Sequence, residues 1–271
     1  MPDCNHDCSS CNENCSDRIQ IFKYNEFSSV RKTFAIVSGK GGVGKSLVTS
    51  LLASTSSKLG YKVAILDGDI LGPSIPKMFG IKEKAYGDET GKYITMANAD
   101  GNIGIISSAM LLENESDPIV WRGTLVSNFI LQLYSNVIFD KRDAVFIDLP
   151  PGTGDIPLTV FQSIPLDGII IVTSPQDLVS TIVEKAIKMA NMMNIPIVGI
   201  VENYAYIKCP KCDEKIELFG KSKAQEKAKQ YGIKHYISLP LDSNIATLCD
   251  KGKIFDYNID SFDDFIKEIL K

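Results

Sequence analysis

Ala35-Ile-Val-Ser-Gly-Lys-Gly-Gly-Val-Gly-Lys-Ser46 is an apolar run that feeds straight into a glycine-rich turn. The turn fits G-x-x-x-x-G-K-[ST], with Gly39, Gly44, Lys45 and Ser46 at the defining positions and Gly41, Gly42 and Val43 between them. A loop of this kind leaves successive backbone N–H groups pointing inward, where they hold phosphate oxygens at a helix N-terminus. Glycines are required because a Cβ blocks both positive-φ turns and the close approach of a phosphate. In that geometry Lys45 reaches the β- and γ-phosphates, and the Ser46 hydroxyl ligates Mg²⁺. The flanks agree with this reading rather than with an ordinary glycine-rich turn. A strand is predicted over Phe34–Ser38 and a helix from Gly44 to about Leu59, with Gly60 as its stop signal.

Working outward, Lys62–Leu66 reads as a second strand and ends in Asp67-Gly-Asp69, two carboxylates beside the loop. Ala144–Asp148 is an unbroken apolar strand ending in an acid, which places Asp148 to hold Mg²⁺. Leu149-Pro-Pro-Gly-Thr-Gly-Asp155 follows, where prolines fix φ and glycines free it, as in a loop that toggles against a γ-phosphate. Further strands are expected at Gly168–Thr173, Pro196–Val201 and Tyr236–Leu239, with helices at about Leu178–Met193 and Ser222–Tyr231. Apolar strands alternating with helices imply an α/β fold, a mostly parallel sheet covered on both faces. The expected organisation is an arm and linker over 1–30 and one nucleotide-binding domain over 31–271. Residues 19–32 read as a linker or a first short helix. Residues 80–120 are the least patterned, with a hairpin and a return strand expected around Tyr93–Ala97 and Ile103–Ser107. An amphipathic helix is expected from about Ile119 toward Asn136, and a C-terminal helix over Phe262–Leu270 packs back on the domain.

The 271 residues carry 44% hydrophobic and 23% charged residues, an ordinary globular balance. A net charge of −4 and a pI near 5.3 argue against a constitutive nucleic-acid surface. No apolar run approaches the roughly 18 residues of a membrane span, and the polar N-terminus lacks the apolar region of a secretory signal. A cytoplasmic setting follows as the expectation, and there cysteines serve as metal ligands or thiols rather than disulfides.

The chain has seven cysteines. Cys4, Cys8, Cys11 and Cys15 form C-x₃-C-x₂-C-x₃-C in a segment with nothing to build a core, so an iron–sulfur cluster, a zinc ion or a free tail are the available readings. Cys209-Pro-Lys-Cys212 is half a tetrahedral site. Its missing ligands come from a second copy of the chain or from the arm; a redox dithiol and a zinc clip are the alternatives. Cys249 reads as a small buried apolar residue.

Lys40, inside the loop, makes the pattern K-G-G-x-G-K-S, which resembles the deviant Walker A of the MinD, ParA and nitrogenase-iron-protein class of P-loop NTPases. From about Lys32 to Gly252 the chain resembles, more narrowly, the Mrp/ApbC-type iron–sulfur cluster carrier ATPases. The resemblance rests on Gly39–Ser46, Trp121-Arg-Gly, Asp148-Leu-Pro-Pro-Gly-Thr-Gly-Asp155, Ser174-Pro-Gln, Val201-Glu-Asn and the Cys-Pro-x-Cys pair. Thr124 and Asp213 depart from the family's usual proline and glycine, and the spacing of the arm cysteines differs from that of the eukaryotic relatives. The resemblance implies a homodimer that binds ATP with Mg²⁺, hydrolyses it slowly, and carries a labile [4Fe–4S] cluster between Cys209 and Cys212 of both chains. Upstream assembly proteins would supply that cluster, and apo-proteins would receive it. It implies that Lys40 reaches the partner's nucleotide, that Asp69 positions the attacking water, and that Asn203 contacts adenine with Pro240-Leu-Asp242 closing over it. A positioning ATPase of the MinD/ParA type and a zinc-clipped regulator are the competing readings.

Overall fold

The computed structural model describes residues 20–70, 72–89, 91–111, 123–175, 179–220 and 222–271. The expectations for Cys4, Cys8, Cys11 and Cys15, and for Trp121 and Arg122, lie outside the described residues.

In chain order, β1 (Ser29–Val37) leads through the glycine loop into α1 (Lys45–Lys58), followed by β2 (Val63–Asp67), the short α2 (Ile75–Met78), β3 (Ile94–Thr95), β4 (Ala97–Ala99) and β5 (Ile103–Ser107). Next come α3 (Gly123–Asn136), β6 (Val137–Ile138), β7 (Lys141–Asp148), α4 (Asp155–Ser163), β8 (Gly168–Thr173) and α5 (Val179–Met192). The chain closes with β9 (Ile197–Lys208), β10 (Lys215–Ile216), α6 (Lys223–Gln230), β11 (Tyr236–Pro240), α7 (Ser243–Asp250) and α8 (Asp263–Ile269).

Nine of these strands form one sheet in the order β10-β9-β8-β1-β7-β2-β5-β4, with β11 also paired to β9. All its pairings are parallel except β4 with β5 and β10 with β9. Strand alternation divides the core between the two faces. Ala35, Val37, Ala64, Leu66, Val145 and Ile147 point to one face, and Phe34, Ile36, Val63, Ile65, Ala144 and Phe146 to the other. Helix α1 is buried almost all round, so its interior positions are small. The hydroxyls of Thr49, Ser50 and Ser56 satisfy themselves on carbonyls four residues back, at 3.0, 2.8 and 2.7 Å.

Several expected boundaries shift. Strand β1 begins at Ser29, and residues 20–28 form no helix; they run as irregular backbone and turn. Asn25 holds them in place by donating to the carbonyls of Ser135 and Val137 at 3.0 and 2.7 Å, while Tyr24 stacks on Tyr134. The expected piece Tyr93–Ala97 is split. Ile94–Thr95 pairs in parallel with β6 in a separate two-stranded sheet, and the hairpin is made by Ala97–Ala99 with β5. Strand β9 does not stop at Val201 but continues to Lys208, a run of 12 residues. Two helices that the sequence reading did not name complete the picture: α4 directly after Gly154, and α7 behind Asp242.

Candidate functional site

The carboxyl ends of the parallel strands deliver the acids to one place. Register sets Asp148 of β7 beside Asp67 of β2, and Asp67 beside Ser107 of β5. Lys45, the first residue of α1, is 5% exposed and lays its Nζ 2.9 Å from Asp148 Oδ2 and 3.7 Å from Asp69 Oδ2. Ser46 Oγ donates to Asp148 Oδ2 at 2.6 Å, and Thr49 Oγ1 donates to Asp148 Oδ1 at 2.8 Å. Asp67 is fully buried and accepts from Ser107 Oγ at 3.0 Å. Burial, with Asp148 alongside, pushes its carboxyl up to about 8 against the pull of Lys45 and Ser107. Burial also raises the Asp69 carboxyl, with Lys45 opposing. The buried Lys45 therefore faces the carboxylates of Asp69 and Asp148, with the raised carboxyl of Asp67 alongside, an arrangement that favours an added positive charge there.

In front of the loop lies a cavity of about 530 Å³, with Lys40, Gly42 and Lys45 on one side and Pro240, Leu241 and Asp242 on the other. Lys40 is exposed at its rim. Gly44 has φ 77° at the start of α1, and a Cβ there would lie 2.2 Å from Asn203 Nδ2 and 2.9 Å from Tyr204 Oη, so only glycine fits. Asn203 sits behind the loop rather than in the cavity: it is 1% exposed and donates its amide to the Val43 carbonyl at 3.0 Å. Tyr204, the next residue, is the one that lines the cavity. Asp242 caps α7 by accepting from the Asn244 N–H at 2.8 Å, and it accepts from Tyr257 Oη at 3.0 Å. Pro151 reaches the cavity from the proline–glycine loop, which is tied down where the Gly152 N–H donates to the Ser38 carbonyl at 2.7 Å.

Cys209 and Cys212 occupy the turn between β9 and β10, with Cys209 half-buried and Cys212 exposed. The Cys209 N–H donates to Glu214 O at 2.9 Å and Asp213 N–H to Cys209 O at 3.0 Å, closing the turn. Asp213 takes φ 57°, a left-handed position that favours glycine and that aspartate tolerates. Backbone N–H of Lys211, then the Cys212 thiol and N–H, aim at the Cys209 sulfur and lower its pKa, the state a metal-binding thiolate needs. Among the described residues no group of three or more His, Cys, Asp or Glu is arranged to hold a metal ion, and around the hairpin the pair supplies two sulfurs.

The family model that matches this chain covers residues 29–270 and is described as ParA, NUBPL iron-transfer P-loop NTPase. The chain belongs to that family. An iron-sulfur cluster carrier protein of Clostridium perfringens is 39% identical over 258 residues, covering 92% of this chain and 90% of the relative. A nucleotide-binding protein of Archaeoglobus fulgidus, solved in complex with ADP, has a TM-score of 0.78 at 41% identity, covering 87% of this chain and 92% of that one. The septum site-determining protein MinD of Pyrococcus horikoshii, solved with Mg-ADP, has a TM-score of 0.58 at 20% identity over 89% and 95% of the two chains, a likeness of fold alone.

For this iron-transfer P-loop NTPase the structure places Lys40–Ser46, Asp69 and Pro240 on the lining of one cavity, with Asp148 buried against Lys45 and Ser46. It sets Cys209 and Cys212 apart on the hairpin. Cys249 is not core but half-buried on the cavity wall. Sequence reasoning missed Tyr204 and named Asp67 as one of two carboxylates beside the loop, with the role given to Asp69. No sequence signal marks a tyrosine for a left-handed backbone, whereas Asp67 was within reach as an acid closing an apolar strand. Among the described residues no helix is long and apolar enough to cross a membrane.

Proposed function

We propose that this chain is an ATP-dependent iron–sulfur cluster carrier that works as a cytoplasmic homodimer, receives a [4Fe–4S] cluster from assembly proteins and passes it to apo-proteins. The observation that carries this reading is the placement of a CxxC pair, with one thiol pKa lowered, in the turn that directly follows the strand whose Tyr204 lines the nucleotide cavity. Two sulfurs per chain complete a four-thiolate site when two copies meet. The cluster is cargo, and its exposure on a hairpin tip suits release.

The roles follow from chemistry. Gly39–Gly44 offer backbone N–H groups to the phosphates, and Lys45 leaves Asp148 for the β- and γ-phosphate oxygens. Ser46 and Asp148 are hard oxygen donors, 2.6 Å apart, that fit Mg²⁺, which neutralises phosphate charge when bound. Asp69 lies at the cavity and orients the attacking water; Lys40 at the rim extends to the partner's nucleotide. Pro240 and Leu241 enclose the base, with Asn203 bracing the loop behind it. The acidic net charge of −4 speaks against nucleic acid or anionic membrane as partners.

Anaerobic reconstitution of the full chain with iron and sulfide, read by Mössbauer spectroscopy and by transfer to an apo-ferredoxin, tests the reading. Cys209→Ser and Cys212→Ser should each lose the bridging cluster and its transfer. Unchanged iron and sulfide in both variants, or stoichiometric zinc in the protein purified anaerobically, would overturn it.

A further inference from the structure

Tyr204 has φ 59° in the middle of β9, where a bulky side chain pays for a conformation that glycine adopts freely. The cause is visible in the pairing. Strand β9 leaves its inner neighbour after Thr173 pairs with Glu202. On the other side, β11 pairs Ser238 with Glu202 and then Pro240 with Tyr206, so β9 carries extra residues between the two pairs. Asn203, Tyr204 and Ala205 form a bulge, and bulges re-aim the side chains that they carry.

Both sides of this bulge are anchored. Before it, the buried Glu202 carboxylate accepts from Ser222 Oγ at 3.0 Å and from Tyr236 Oη, and Asn203 holds the Val43 carbonyl. After it, the Leu241 N–H donates to Tyr206 O at 2.8 Å. The Tyr204 ring stands over Gly44, and its hydroxyl makes no hydrogen bond to a described residue although it lines the nucleotide cavity. Beyond Tyr206 the strand pairs only with the two-residue β10 and runs directly into Cys209. Four residues of strand lie between Tyr204 and Cys209, five steps or roughly 17 Å between their Cα atoms at about 3.3 Å each.

We infer that Tyr204 is the positioning residue that joins nucleotide to cysteine hairpin: its hydroxyl takes a phosphate or ribose oxygen of the bound nucleotide across Gly44, and its left-handed backbone sets the angle at which Cys209 and Cys212 are presented. The inference rests on the carrier reading for its purpose but not for its physics. A ligand moves an equilibrium only through contacts that differ between two states, and the unpaired hydroxyl at a strained joint is such a contact. Glycine at this position releases the joint in either direction, and phenylalanine keeps the ring and removes the contact.

The test reads thiol reactivity and needs no cluster. In the full-length apo-protein, alkylation rates of Cys209 and Cys212 are followed by peptide mass spectrometry with and without a non-hydrolysable ATP analogue and Mg²⁺. The wild type should show a nucleotide-dependent change of about fivefold, the lower end of ordinary coupling between sites. With the analogue at a concentration that saturates each variant, Tyr204→Gly should bind it more weakly than the wild type and show nearly equal rates in the two conditions, and Tyr204→Phe should fall between. A wild-type ratio of one, or a ratio equally large in Tyr204→Gly, overturns the inference. Because iron content is measured separately, the joint can fail while the carrier reading stands, and the reverse.

Discussion

The phosphate loop and the cysteine hairpin are built on opposite plans. The loop is set into the sheet: Lys45 is 5% exposed, Asp67 and Asp148 are fully buried, and Gly44 has no room for a Cβ. The hairpin hangs from the sheet's outer edge on a two-residue strand, with Ile216, Leu218 and Phe219 about half exposed around it. A site whose ligand is the same in every cycle gains from preorganisation, since fixed dipoles need no rearrangement when the charge arrives. A site whose cargo must leave gains from the reverse. On the proposed carrier reading, binding strength belongs to the interior and exchange to the periphery.

Three substitutions press on this contrast. The largest effect is expected at Lys45→Ala, which strips the buried cation that faces Asp69 and Asp148. ATP affinity should fall roughly 100-fold by calorimetric titration, the scale of a lost charge-assisted contact, while iron reconstitution at the hairpin persists. A fall in both alike would mean that the two regions are one unit.

An intermediate effect belongs to Asp67. Its folded-state pKa of about 8 lies above the ordinary aspartate value of 3.8, so its stabilising share is complete below pH 4 and is lost as pH rises toward 8. The nucleotide-free protein should therefore be more stable at pH 6 than at pH 8, with a slope of at most about 1.4 kcal/mol per pH unit from this group. Asp67→Asn should flatten that slope in chemical denaturation. An unaltered slope would place the pH dependence elsewhere.

The smallest effect is expected at the hairpin. Cys209→Ser with Cys212→Ser should leave the melting temperature of the cluster-free protein within about 1 °C, as for other exposed positions, and should leave ATP affinity unchanged. A large loss would show that the hairpin carries weight in the fold.

The loop was legible because its chemistry is local. Lys45 and Ser46 lie in one motif, and the acid that they meet, Asp148, ends a run of apolar residues that reads as a strand by itself. The β8 span Gly168–Thr173 matched for the same reason. Strand β9 was cut short at Val201 because Glu202 and Asn203 break the apolar run. Their polarity is absorbed by Ser222, Tyr236 and Val43, partners distant in sequence. Helix α7 was missed although Asp242 stands at its cap, since Pro240 and Leu241 drew attention to the loop. Helix α4 was hidden by the Pro-Pro-Gly-Thr-Gly string before it. Tyr204 lay beyond reach altogether: its left-handed backbone arises from a mismatch between two strands that only the sheet reveals.

The 12-residue length of β9 carries one last consequence. Side chains on a strand alternate sides with each residue, so the stem from Tyr206 to Cys209 fixes which way the sulfurs look. Lengthening that stem by one amino acid would turn them toward the opposite surface, whereas adding two would restore the aspect and merely extend the reach. Parity, more than distance, therefore constrains how such a stem can drift in length if the sulfurs are to keep their aspect.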